Sequence, residues 1–298
     1  MLPHLTVCIC TFKRPAYLKK LLDELGRQDT GGQCTFSIVV TDNDQAESAK
    51  PVVLDFLNRA AVPIKYCVEP RQNISLARNK AIENASGDYV VFIDDDEFPT
   101  PSWLLTLFTT CVKFGVDGAL GPVKPHFEEP PPAWVVRGKF HERPTYPTGF
   151  VIDWRKGRTG NTLLKTSLFK GTEPIFRPEF LTGEDQDFFR RMIDQGHKFV
   201  WCNEAVAFEH VPAARCKRSF MLRRALLRGK VSLEHPTSRS KELLKSAVAV
   251  PAYALALPVL LLLGHHQFMK YLVKTCDHGG RLLAWIGIDP VKAVYVTE

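Results

Sequence analysis

Several signals are missing from this sequence, and each absence narrows the field. None of the eight cysteines, at 8, 10, 34, 67, 111, 202, 216 and 276, stands in a C-x-x-C pair, so the spacing carries no zinc signature. Met1 to Thr6 leads directly into a strand pattern with no secretory signal. The expectation is a cytosolic catalytic domain with reduced thiols. No nucleic-acid module is recognisable, although the net charge of +7 calls for an anionic partner such as a nucleotide or an anionic lipid. The basic residues crowd beside an apolar run rather than an aromatic platform, which argues against nucleic acid. What remains, at 298 residues with 45% hydrophobic and 24% charged, is an ordinary globular chain of one or two domains.

The most informative stretch that is present runs from Gly87 to Phe98. Tyr89 to Ile93 is β-branched and aromatic with no polar face, the pattern of a strand buried on both sides of a parallel sheet. It runs straight into Asp94, Asp95, Asp96 and Glu97. Those acids therefore fall at the strand's carboxyl end, where ligands bind in open α/β sheets. Adjacent carboxylates repel one another unless a cation is near, and hard divalent cations take oxygen ligands and bridge to phosphates. The plain alternative, an acidic surface loop, is weakened by the core strand that fixes the acids in one place.

Strand and helix alternate around this stretch. Leu5–Cys10, Phe36–Val40, Ile64–Val68 and Tyr89–Ile93 read as strands, and helices are expected after Pro15, over Val52–Leu57 and from Asn73 or Ser75. This is the α/β signature: a mostly parallel sheet with helices on both faces. From Gly118 to Phe150 seven prolines interrupt the rhythm, and a long structured loop is expected. Phe150–Trp154 and Asn161–Lys165 resemble a strand pair, Gln186–Gln195 a helix ending at Gly196, and Phe199–Cys202 and Ala205–Glu209 short strands ending at His210. Arg215–Lys230 carries seven basic residues and no acid, as a helix on an anionic membrane surface does. Ala247–Leu263 is apolar throughout, with Pro251 and Pro258 inside it; a bent or re-entrant hairpin is as consistent with it as a span. The tail, Gly279–Tyr295, repeats a modest apolar pattern. Two domains are expected, 1–212 and 213–298, the second associating with a membrane.

Three features bear on chemistry: the acids at 94–96 for a divalent metal, His210 as a further ligand, and Glu184 with Asp185 at a helix start. Taken in order, the pieces Val7–Pro15, Val39–Asp44, Ala77-Arg78-Asn79, Gly87–Asp96, Gly160-Asn161 and Gly183-Glu184-Asp185-x-Asp187-Phe188 resemble the family 2 glycosyltransferases with the GT-A nucleotide-sugar-binding fold, over about residues 5–212. The C-terminal part resembles bacterial members that build exopolysaccharide or lipopolysaccharide units on a lipid carrier.

The resemblance implies roles. Thr11, Arg14, Asp42 and Asp44 would hold the uracil and ribose of a UDP-sugar, with Arg78 and Asn161 near the donor and Asp94 and Asp95 on the ribose side. Asp96 and His210 would bind Mn²⁺ or Mg²⁺, and Asp185, with Glu184 as the fallback, would be the base that deprotonates the acceptor in one inverting displacement. Processive synthases of the family carry a Gln-x-x-Arg-Trp motif that this sequence lacks; Arg223, Arg224 and Arg228 stand in that region, which favours single-sugar transfer. The implied place of work is the cytoplasmic face of the bacterial inner membrane, on a lipid-linked saccharide. The alternatives are a nucleotidyltransferase, which needs no base at 185, an inactive scaffold, and a transferase using a soluble acceptor.

Overall fold

The computed structural model describes residues 1–171, 173–180, 182–233 and 239–291. In chain order its first elements are β1 (His4–Thr11), α1 (Pro15–Leu25), β2 (Thr35–Asp42), α2 (Lys50–Arg59), β3 (Ile64–Val68), α3 (Ile74–Asn84) and β4 (Tyr89–Phe92). Next come β5 (Glu97–Pro99), α4 (Trp103–Phe114), β6 (Gly118–Leu120), β7 (Val123–Phe127), α5 (Ala133–Gly138), β8 (Thr162–Lys165) and α6 (Glu184–Asp194). The last are β9 (Phe199–Trp201), β10 (Ala207–Val211), α7 (Arg218–Val231), α8 (Arg239–Leu262) and α9 (His265–Trp285). Two compact units divide them, one of residues 1–124 with 143–210, the other of 125–142 with the chain from 211 onward.

The first unit is a seven-stranded sheet in the order β3-β2-β1-β4-β8-β6-β9. Pairing is parallel throughout except on both sides of β8. Alternation along the central strands feeds two cores. Leu5, Val7, Ile9, Val91 and Ile93 face one way, onto α1 leucines and α4 residues such as Trp103 and Leu107. Cys8, Val90 and Phe92 face the other way, onto Ala81 of α3 and Phe188, Phe189 and Met192 of α6. Both faces of β1 and β4 are thus covered, as their apolar runs require. Full burial of each such side chain contributes about 1.5–3 kcal/mol. The cysteines are free thiols.

Several expectations need correction. The proline-rich span 118–150 is not one loop: it contains β6, β7 and α5. Its prolines sit where strand and helix tolerate them, with Pro132 as the residue before the first turn of α5. Phe150–Trp154 does not form a strand. Val151 makes only an isolated bridge to Val200, and Trp154–Lys156 is a 3₁₀ turn. β8 pairs instead with β4 and β6. The last strand is shifted to Ala207–Val211. The apolar run is no hairpin: α8 continues through both Pro251 and Pro258. The part of the expected tail from residue 292 lies outside the described residues.

Asn161, foreseen as a donor contact, is the knot of the first unit. It adopts a left-handed conformation, φ 60°, which asparagine tolerates better than most residues. Its side chain is fully buried; the amide donates to the carbonyls of Pro122 and Ala205, each at 2.8 Å, and its Oδ1 accepts from Trp103 Nε1–H at 2.6 Å. With every polar atom engaged, it holds three segments together rather than facing a ligand. Asn161→Ala leaves a buried indole N–H and two carbonyls unpaired, and should lower unfolding free energy by about 2–4 kcal/mol. Urea denaturation checks this; a loss under about 1 kcal/mol would remove Asn161 from that role.

Candidate active site

The sheet delivers its acids at one edge. Thr11 and Asp42 are register partners at the carboxyl ends of β1 and β2, and β4 ends alongside β1. After β4 the chain turns through Asp95 and Asp96 into β5, which lies antiparallel to β10 with Glu97 opposite Glu209. The His210 N–H donates to the Asp96 carbonyl at 2.8 Å, so the two expected metal ligands are neighbours across that pairing. The His210 ring itself is packed against Tyr17 and Phe98, with centroids at 5.4 and 4.8 Å.

Three arginines each bridge two carboxylates. Arg14 Nη1 lies 3.2 Å from both Asp95 and Asp96. Arg78, on α3, donates to Glu184 at the start of α6 and stands 3.9 Å from Asp94. Arg143 binds Glu209 at 2.6 Å and stands 3.9 Å from Glu97. Asp95 also accepts from the Thr11 hydroxyl at 2.7 Å. Counting Asp185, and Arg158 whose charge is felt by Asp185 and Glu209, the cluster sets seven acids against four arginines, a formal excess of three negative charges. Burial, then the neighbouring carboxylates, pushes Asp95 up to about 6, against the pull of Arg14 and Thr11. Burial raises Asp94 too, opposed by Arg78 and helped by Asp96. Gly160 passes over the cluster so closely that a Cβ there would sit 3.0 Å from Asp94 Oδ2 and 3.2 Å from Glu97 Oε1.

The Glu-Asp-x-Asp motif of α6 splits into three fates. Glu184 is buried against Arg78. Asp187 is buried against Arg177, Arg190 and Arg191. Asp185 has no ion-pair partner within 4 Å among the described residues and accepts only from the Gln186 N–H at 2.7 Å. Burial, then Glu184, raises it to about 6. Of the motif's three carboxylates it is the one with no arginine within 4 Å among the described residues.

Other expected residues are architectural in this structure. Asp42 is fully buried and accepts from the Ala49 N–H at 2.7 Å, the Tyr66 hydroxyl at 2.9 Å and the Asp44 N–H at 3.1 Å. Asp44 accepts from the Ala46 N–H at 3.2 Å. Both shape the turn after β2. Asp94, whose side chain is 47% exposed, is the most open of the six acids beside the arginines.

Sequence reasoning assigned no role to Glu97 or Arg143. Glu97 had a signal, since it closes the four-acid run; Arg143 sits among prolines with none. Glu97 is 1% exposed, and its Oε1 is buried without a hydrogen-bond partner.

Among the described residues no three His, Cys, Asp or Glu side chains converge as a ready-made cage. The donor set is nevertheless all oxygen at the acid turn, in carboxylate excess, with one buried oxygen orphaned. That fits a hard divalent cation held by one or two carboxylates and completed by a ligand's phosphates.

Comparisons with known proteins bear on the family and the fold. The family described as Glycosyl transferase family 2 matches residues 6–171. Succinoglycan biosynthesis protein ExoM of Rhizobium meliloti (strain 1021) is 32% identical over 228 residues, 76% of this chain and 73% of that protein. Two solved structures share the fold. The mannosyltransferase PcManGT from Pyrobaculum calidifontis, in complex with GDP-Man and Mn²⁺, has a TM-score of 0.62 at 18% identity, over 96% of this chain and 87% of that one. S. aureus TarS 1-349, in complex with UDP-GlcNAc, has a TM-score of 0.55 at 15% identity, over 96% and 92%.

The buried Arg78–Glu184 pair is directly testable. Arg78→Met alone leaves Glu184 buried and uncompensated, and should cost about 3–5 kcal/mol of stability. Adding Glu184→Leu should recover most of that loss. Additive losses in the double variant, measured by denaturant unfolding, would show that the two side chains do not depend on each other.

Proposed function

The chain belongs to glycosyl transferase family 2, and from that premise we propose a single-sugar, inverting transfer from a UDP-sugar to a hydroxyl of a lipid-linked saccharide during polysaccharide synthesis. The observation that carries the reading is Asp185, a carboxylate at a helix start with no ion pair within 4 Å among the described residues, beside an edge where six further acids are tied to arginines. In this reading Asp185 takes the proton of the acceptor hydroxyl, that oxygen attacks the anomeric carbon, and the bond to the nucleoside diphosphate breaks. One carboxylate suffices for one displacement. Asp94 is the acid open enough to meet the ribose, and Asp96 with His210 would hold a divalent cation. Such an ion, when bound, offsets the charge that develops on the leaving diphosphate. Support for a nucleotide-sugar comes from TarS and PcManGT, whose structures hold UDP-GlcNAc and GDP-Man with Mn²⁺, and support for polysaccharide synthesis from ExoM's name.

The lipid-linked acceptor and the membrane surface rest on the second unit. Ser240–Leu262 is 23 residues long, and its most apolar 18-residue stretch has a mean hydropathy of 1.7 with only 6% of it buried. Its Leu255 and Leu262 are 81% and 89% exposed. At 1.5 Å per residue it is roughly 35 Å long, enough for a hydrocarbon core of about 30 Å. The proposed site of action is the cytoplasmic face of a bacterial inner membrane.

The test is kinetic. A screen of UDP-sugars and other nucleotide sugars with Mn²⁺ identifies the donor by nucleotide release; release of pyrophosphate would mean nucleotidyl transfer instead. With the donor in hand, kcat/KM should fall about tenfold per pH unit below about 6, because Asp185 is a base only when unprotonated. Asp185→Asn should retain UDP binding, lose roughly a hundredfold or more in turnover and lose that acid limb. The linkage has a definite sign. A carboxyl raised in the folded state binds more protons folded than unfolded, so its contribution to stability falls as pH rises through this range. Asp185→Asn should therefore be more stable than wild type at pH 7. Near-normal turnover in the variant would exclude Asp185 as the base.

A further inference from the structure

The second unit contains a groove of about 600 Å³ that none of the chemistry above uses. Pro130, Pro131, Pro132, Trp134, Lys217 and Arg218 line it, with Glu129 as the single acid. Lys217 and Arg218 are exposed, and neither makes an ion pair within 4 Å among the described residues. Two cations against one acid leave the groove with a net positive charge.

The groove's position is as informative as its charge. Trp134 makes an edge contact with His265, ring centroids 5.5 Å apart. His265 opens α9, only three residues beyond Leu262, which closes the exposed apolar helix α8. Burial, then Arg218, lowers the His265 pKa, so Arg218 lies close to the same ring. The cations and the indole therefore gather at one end of α8. If α8 enters a bilayer, that end falls at the headgroup level, where tryptophan and basic side chains are favoured. A free anion would gain nothing from the apolar helix next to it, whereas a membrane lipid would use both.

We infer that this groove seats the phosphate-bearing headgroup of a membrane lipid, with Lys217 and Arg218 on the phosphate and Trp134 against the adjoining polar–apolar boundary. This rests on the membrane reading above and goes beyond it by naming the residues that engage the lipid. It also offers a reason for the prolines at 130–132: they fix the wall of the groove at low entropic cost, because their backbone has little freedom to lose.

The experiment is vesicle flotation of the full-length chain. One set of vesicles is phosphatidylcholine alone, the other phosphatidylcholine with phosphatidylglycerol. Wild type should bind both and prefer the second by roughly thirtyfold, the scale for two basic side chains near an anionic surface. Lys217→Gln with Arg218→Gln should abolish the preference while leaving binding to neutral vesicles. Arg223→Gln with Lys245→Gln removes the same charge from exposed positions outside the groove, and should keep most of the preference. Trp134→Ala should weaken the preference with no change of charge. Equal losses in the two double variants would mean diffuse surface electrostatics and overturn the groove. So would a Trp fluorescence change with inorganic pyrophosphate, in the absence of vesicles, that saturates in wild type and is lost in Lys217→Gln with Arg218→Gln, which would assign the groove to a free anion. Binding to both vesicle types without preference would overturn the groove and leave the membrane reading standing, whereas failure to float with either would overturn both.

Discussion

The structure depends on keeping like charges together at one sheet edge. Two carboxylates 4 Å apart repel by about 4 kcal/mol at the effective dielectric of a protein surface. Here Asp94, Asp95, Asp96, Glu97, Glu184 and Glu209 are gathered by strand ends and a helix start that the hydrophobic cores hold in place. Arg14, Arg78 and Arg143 reach in from three separate segments and each straddles a pair. The arrangement is therefore not a property of any one loop. Arg78 matters most, because it ties α3 to the first residue of α6 and so fixes the helix turn that presents Asp185. The remaining negative excess and the raised Asp185 follow from the same crowding.

Much of this was legible in the residues because each element satisfied one strong rule. The apolar run Tyr89–Ile93 could only be a doubly covered strand, and the acids after it had to lie at its carboxyl end. Asn73 was visible as a helix cap, and its side chain accepts from the Leu76 N–H at 3.1 Å. What was not legible depends on partners far away in sequence. Nothing local says that Arg143 joins Glu209, or that Asn161 spends its amide on Pro122 and Ala205. Glu184 and Asp185 are adjacent and chemically alike; only the position of Arg78 separates a buried ion-pair partner from a carboxylate with no ion pair among the described residues. The proline-rich span misled for the opposite reason. Proline disfavours helix interiors, yet at 132 it stands just before a short helix, and at 125 within a strand.

The two units divide the work by solvent. The first covers both faces of its sheet and leaves a polar edge open to a charged ligand. The second has an exposed apolar helix on which Leu244, Val248, Leu255, Val259 and Leu262 are left without cover. Inside that unit a polar network fixes the helix pairing: Arg281 donates to Glu242 at 3.1 Å, to Ser246 at 2.9 Å and to Ser232 at 2.8 Å. Gly229 and Gly280 let α7 and α9 approach until a Cβ at either would meet backbone at 2.0 and 2.2 Å. The unit is thus closely packed inside and presents one contiguous apolar helix outside, the kind of exposed patch that marks an interaction surface.

The central claim is a single displacement assisted by one carboxylate base. The anomeric configuration of the product, read by proton NMR from the coupling constant of the newly formed linkage, tests it most directly. The account predicts a configuration opposite to that of the donor sugar. A product that retains the donor's configuration would require a second displacement, and would contradict the assignment of Asp185 as the sole base.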